Sequence, residues 1–390
     1  MKFSAFTFGV LALLACRSTA IAQASTTQPT PPPLLIGVWQ QPVENFALWQ
    51  ARGINTLVEI PTPASAHPPA AWVAAAEAAG LWEIRVPVGA LSADNGTPHL
   101  LAWNQPDEPE GAGATPASTC AANYAAWHAV NPHRPVFINF DASRVLGIQG
   151  GLTAASYAPY LPCADWIGSD IYPVTDWGRP DWIDHPGLSV STLSGWTGGK
   201  PQFAFIETSN QRIGPSQQAT APQVRYETWH AIICGATGIF YFPEQFNPFN
   251  FDGTPLDVVA EITALNADLN SVGPYLAHAK PLNIGAGYEC ITSTQTINGA
   301  PVTFTLLLNS TPNTVTYFGT QLAPYGVFAT LTDKVPATVL AHTAIPPTVD
   351  QEIAALQAQQ AADHATVQAL STALANVAKA IQGAQPATQP

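Results

Sequence analysis

Charged side chains are scarce in this 390-residue chain: they make up 10% of it against 47% hydrophobic residues, which excludes the charged, apolar-poor composition of disordered sequences. Positive charge is scarcer still. Thirteen Lys and Arg stand against 26 Asp and Glu, a formal charge of −13, and no basic run offers the groove a phosphate backbone needs, so nucleic acid is excluded as a partner. The five cysteines form no C-x-x-C pair and give a closed zinc site no support. Neither G-x-G-x-x-G nor G-x-x-x-x-G-K-[ST] occurs, so the usual phosphate-cradling loops are missing. H-E-x-x-H, G-x-S-x-G and a D-x-D-x-D-G calcium loop are missing too. No cofactor or metal is called for.

What is present begins with a targeting segment. Lys2 precedes an apolar run from Phe3 to Ala15, shorter than the ~20 residues a membrane-spanning helix needs. Small residues follow, with A-x-A sites at Ala20-Ile21-Ala22 and Ala22-Gln23-Ala24. Leu13-Leu14-Ala15-Cys16 also has the form of a lipobox, in which Cys16 would carry lipid. Residues 1–24 are therefore expected to direct export, to the periplasm, the exterior or a lipid-anchored surface position. Export permits disulfides, but spacing assigns none.

Residues 25–33, rich in Ser, Thr, Gln and Pro, form a linker. From Leu34 to Ala279, short apolar or aromatic runs alternate with Ala-rich amphipathic stretches, the pattern of βα units on a parallel sheet. Eight strands are predicted, at 35–39, 54–60, 82–88, 99–103, 136–140, 166–171, 203–206 and 238–242. Helices are predicted at 43–52, 70–79, 120–130, 223–234 and 257–272. Their extent approaches the ~250 residues of a (β/α)₈ TIM barrel, and an open doubly wound sheet lacks its phosphate loop here. Residues 280–345 read as a small antiparallel β-domain with Asn-Gly and Thr-Pro-Asn turns. Residues 346–390 read as a helical tail with an a/d register from Ile353 to Ile381, interrupted by Gln360 and Asp363. Such a tail could form a coiled coil and make a homo-oligomer, or lie as a single helix.

Chemistry in such a barrel belongs at the C-terminal ends of the strands, where the loops converge. The fourth strand runs into Asn104-Gln105-Pro106-Asp107-Glu108-Pro109, and the seventh ends Ile206-Glu207. Glycoside cleavage needs one carboxyl to protonate the leaving oxygen and another to attack or activate water, ~5 Å apart for retention. Ninety-nine residues separate Glu108 from Glu207, about 33 for each of three βα units, so both could face one cleft.

These pieces, Asp107-Glu108-Pro109, Phe203-Ala204-Phe205-Ile206-Glu207 and Ser169-Asp170-Ile171-Tyr172-Pro173, resemble the clan A glycoside hydrolases, retaining enzymes on a (β/α)₈ barrel. The resemblance implies that Glu108 is the acid/base, Glu207 the nucleophile and Tyr172 the residue that orients it, with an oligo- or polysaccharide as substrate. Asp107 stands where many members have Asn, and Tyr241-Phe242-Pro243 where many place a tryptophan. Trp39, Trp103 and Trp177 are candidates for the missing platform, since a sugar's apolar face stacks on aromatic surface. Asn139 and Asp170 sit at strand ends and could bind hydroxyls. The alternative role for Glu207 is a structural ion pair, with Arg85 for example, and the alternative for the whole chain is a barrel that binds carbohydrate without cleaving it.

Overall fold

The computed structural model describes residues 29–340 apart from short stretches at 62–66, 112–114, 151–152, 212–216, 277–278, 284–286, 298–299, 318–319 and 333–337. The targeting segment and helical tail lie outside the described residues. Eight parallel strands close a barrel in sequence order: β1 (Leu35–Trp39), β2 (Thr56–Val58), β3 (Trp82–Arg85), β4 (Leu100–Asn104), β5 (Val136–Asp141), β6 (Trp166–Asp170), β7 (Gln202–Glu207) and β8 (Ala236–Phe242). Closure is completed by β8 pairing with β1, Leu35 opposite Gly238 and Val38 opposite Tyr241. The TIM barrel expected from the sequence is thus the observed fold.

The connecting helices are α1 (Phe46–Ala51), α2 (Pro69–Ala79), the short α3 (Leu91–Asp94), α4 (Ala117–Val130), the short α5 (Ala142–Val145) and α6 (Ala154–Tyr157), α7 (His185–Thr197), α8 (Ala221–Ile233) and α9 (Leu256–Leu276). The helix predicted at 43–52 is split, a 3₁₀ turn at Val43–Asn45 preceding α1. Among the described residues no helix is long and apolar enough to cross a membrane.

The strands are buried on both faces, which is why they read as unbroken apolar runs. One face fills the barrel: Val58, Ile84, Phe137, Phe203, Phe205 and Phe240 share a single cluster. The other, with Ile36, Val38, Leu57, Ile206, Ile239 and Tyr241, packs on Trp49, Trp72, Trp229 and the apolar stripe of α9. Inside, Phe203 stacks on Phe240 at 5.2 Å, and Phe137 meets both edge-on. Glycines make room for these rings. A Cβ at Gly168 would lie 2.4 Å from Phe137 Cζ, and one at Gly238 would lie 2.6 Å from Phe203 Cδ1. Gly168→Ala should therefore destabilise the protein by ~1–3 kcal/mol through overpacking, read as a lowered midpoint in urea.

After the barrel come a two-stranded ribbon, β9 (Gln245–Phe246) with β10 (Phe249–Asn250), and then a five-stranded antiparallel sheet. That sheet orders β11 (Lys280–Asn283), β12 (Tyr288–Ile297), β13 (Ala300–Asn309), β16 (Val327–Thr332) and β17 (Thr338–Leu340), while β14 (Val315–Tyr317) and β15 (Thr320–Leu322) pair separately. Ile291, Phe304, Leu306 and Leu308 of the sheet join the barrel's outer core. Tyr226 of α8 donates to Glu289 at 3.2 Å across this contact.

Candidate active site

At the C-terminal end of the barrel the backbone leaves its ordinary conformations. Gln40 after β1 (φ 39°), Glu59 after β2 (φ 63°) and Glu108 after β4 (φ 40°) all lie in the left-handed region. Non-glycine residues pay roughly 1–3 kcal/mol for that, and such strain gathers at functional sites.

The loop after β4 is pinned from below. Gln105 Nε2 donates to the carbonyls of Cys120 (2.9 Å) and Cys163 (3.0 Å). Glu110 accepts from the Asp141 amide (2.8 Å) and the Tyr157 hydroxyl (3.1 Å), so the acidic stretch is not a solvated turn. Between these anchors Asp107 and Glu108 face a cleft of ≈ 830 Å³, within the range of small-molecule sites. Asn139 on β5 donates through Nδ2 to Asp107 Oδ1 and Asp170 Oδ1, both at 3.0 Å. Asp170 in turn donates its proton to Glu108 and accepts from the Tyr172 hydroxyl. Three carboxyls from β4 and β6 thus meet over one amide from β5.

Crowding sets their protonation. Burial, then the charges of Asp107 and Asp141, pushes Glu108 up to about 7. Burial and the neighbouring Glu108 and Asp107 push Asp170 well above the carboxylate range, and burial raises Asp107 against the Asn139 hydrogen bond. Like charges this close cannot all ionise, so the cluster keeps a proton near neutrality. Just beneath it, Glu59 accepts from Asn104 Nδ2 (2.7 Å) and is raised to about 7, chiefly by burial.

Several expected site residues are brought together here. Asp107, Glu108, Asp170, Tyr172, Trp39 and Trp177 line the cleft, and Asn139 ties two of them together. Phe242, in the position where a tryptophan was missed, packs on Tyr172 at 4.7 Å and also lines the cleft.

Three of the expected residues stand in other surroundings. Glu207 is fully buried and does not line the cleft. Its Oε1 accepts from the Val174 amide (2.8 Å), and Oε2 from the Thr175 amide (2.7 Å) and hydroxyl (2.5 Å). Glu227 of α8 completes the surround, and Arg85 pairs instead with Glu83 and Asp94. Glu227 is driven well above its ordinary value by burial and by the charge of Glu207, so it carries a proton and donates it to Glu207. Tyr172 orients Asp170 rather than Glu207. Trp103 is no platform: it is fully buried, and its indole N–H donates to Asp94 Oδ2 at 2.9 Å.

The sequence reading missed Asp141, Arg144 and Glu244. Asp141 ends β5, accepts from the Ser143 amide (2.9 Å) and pairs with Arg144 (3.0 Å), and both line the cleft. Glu244 follows β8 and lines it as well. Of the three, Asp141 directly follows a predicted strand, and that position was the available signal.

No protein-family model matches the chain, and no curated protein matches it. Among solved structures it is similar to the cyclic α-maltosyl-(1→6)-maltose hydrolase of Arthrobacter globiformis, at 10% identity and TM-score 0.45 over 76% of this chain and 88% of that one. A family 39 glycoside hydrolase of Bacteroides cellulosilyticus gives 11% identity and TM-score 0.47 over 77% and 81%. The endo-β-1,4-mannanase of Thermotoga petrophila gives 10% and 0.45 over 74% and 96%. Likeness at this level says nothing about the reaction.

Proposed function

We propose that the chain is a glycoside hydrolase whose proton donor is Glu108. The observation that carries this reading is the Asp107, Glu108 and Asp170 cluster, aimed into an open cleft at the barrel mouth by Asn139 and Tyr172. A carboxyl held at about 7 can give a proton to a leaving oxygen and take one back from water. Glycoside cleavage develops positive charge on the sugar ring, and the ionised members of the cluster face that charge. Trp39, Trp177 and Phe242 supply the apolar surface a sugar ring needs. Double displacement through Glu207 is disfavoured, because that carboxylate would have to leave three donors and a protonated partner. Asp107 and Asp170, which line the cleft beside Glu108, are the carboxylates this reading assigns to the second role. Export through the N-terminal segment, with or without lipid at Cys16, fits a glycan met outside the cytoplasm.

The test is a screen of nitrophenyl glycosides and polysaccharides with Glu108→Gln as the control. Loss of general acid catalysis should lower kcat by ~10²–10⁴-fold on whichever substrate is turned over. Near-normal rates in the variant would reject the assignment. A protein that binds glycans and cleaves none would be the non-catalytic barrel.

A further inference from the structure

We propose that the cleft receives a glycan bearing free amino groups, a hexosamine unit whose ammonium is held by Glu244 and Asp107. This rests on the carbohydrate reading of the same cleft and adds the class of sugar.

Among the described residues six carboxyls line the cleft, from Asp107, Glu108, Asp141, Asp170, Asp176 and Glu244. Arg144 is the one cationic side chain among the described lining residues, and it is engaged by Asp141 at 3.0 Å. A uronic acid, a sulfate or a phosphate would enter against this field.

Glu244 supplies the independent observation. It is 6% exposed, and its backbone carbonyl is held by the Ser209 hydroxyl at 2.5 Å, which fixes the residue at the end of β8. Its Oε1 is buried with no hydrogen-bond partner. Asp107 is close enough to act on it electrostatically, and with burial it raises Glu244 to about 7. A carboxylate removed from water without a partner is costly, and here a second negative charge adds to the cost. A sugar hydroxyl would give Glu244 one neutral hydrogen bond and leave the repulsion in place. An ammonium gives charge-assisted bonds to both carboxylates and cancels the repulsion. Trp39 and Phe246, on the same walls, can cover the ring's apolar face.

The experiment measures binding rather than turnover, so that it stands apart from the hydrolase assignment. Full-length protein carrying Glu108→Gln is titrated calorimetrically with the tetramers of glucosamine, N-acetylglucosamine and glucose. The glucosamine tetramer should bind at least ~10-fold more tightly than the other two, and adding Glu244→Gln should remove that preference, bringing the three tetramers to within about twofold of one another. Equal affinities, or tighter binding of a neutral tetramer, would overturn the proposal. So would a preference that survives both Glu244→Gln and Asp107→Asn, since that would be general attraction to an acidic protein. Turnover of neutral glycans alone would sink the amine preference and leave the hydrolase reading standing, whereas amine-selective binding without turnover would do the reverse.

Discussion

Glu207→Ala should unfold the protein rather than silence a folded enzyme. The carboxylate lies wholly inside the molecule and joins the end of β7, the Val174–Thr175 segment after β6, and α8. Truncation leaves two buried amides and the Thr175 hydroxyl without an acceptor and Glu227 without its partner. Removing one member of a buried charged network costs ~3–5 kcal/mol, a large part of the 5–15 kcal/mol that holds a typical domain together. The expected result is a sharply lower urea midpoint and poor recovery of soluble protein. In the fraction that remains folded, turnover per molecule should stay within a few-fold of the parent. Glu207→Gln keeps the shape and one acceptor, so its midpoint should fall by less. A variant that folds normally but has lost turnover would place Glu207 at the reacting atoms and restore the double-displacement mechanism.

The contrast between Glu108 and Glu207 shows how far the sequence could be read. Strand positions were legible because a parallel barrel buries both strand faces and so writes apolar runs into the chain: β1 matches its predicted span, and the others overlap theirs. Helix α7 was not legible. Its sequence, HPGLSVSTLSGWT, is poor in strong helix formers, and it is helical because Val190 and Leu193 pack inward and Gly198 ends it in a left-handed turn. Location at a strand end could be read for both glutamates, but direction could not. Counting by twos from Phe203 and Phe205, which lie inside the barrel, would aim Glu207 at the mouth. The strand ends there, and amides from a segment 32 and 33 residues earlier in the chain capture the carboxylate. No local pattern encodes that capture. Glu244 was hidden for a related reason: it follows Tyr241-Phe242-Pro243 without periodicity, and only barrel closure sets it beside Asp107.

A second large effect is expected from pH, with a sign opposite to the usual acid sensitivity. Glu59, Glu244 and Glu289 are all buried, and burial is the first cause that raises each to about 7 from an ordinary value of 4.5. In the unfolded chain these carboxyls ionise near 4.5, so between roughly pH 4.5 and 7 the native protein holds protons that the unfolded chain has released. Unfolding therefore liberates protons across this window, and raising the pH favours the unfolded state. Below 4.5 both states are protonated and this contribution to stability is complete; above about 7 both are ionised and it has been lost. Each such group takes roughly 1 kcal/mol from stability per pH unit across the window. Self-repulsion in a chain of formal charge −13 acts in the same direction. Thermal midpoints should therefore be highest near pH 4.5–5 and fall steadily to pH 7.5. Glu59→Gln should flatten the slope without reversing it, because Glu59 is one of several contributors. A midpoint that rises with pH through this range would mean that these carboxylates are ionised in the fold and matched by partners. In that case the proton held at Glu108, which depends on the same burial, would be lost as well.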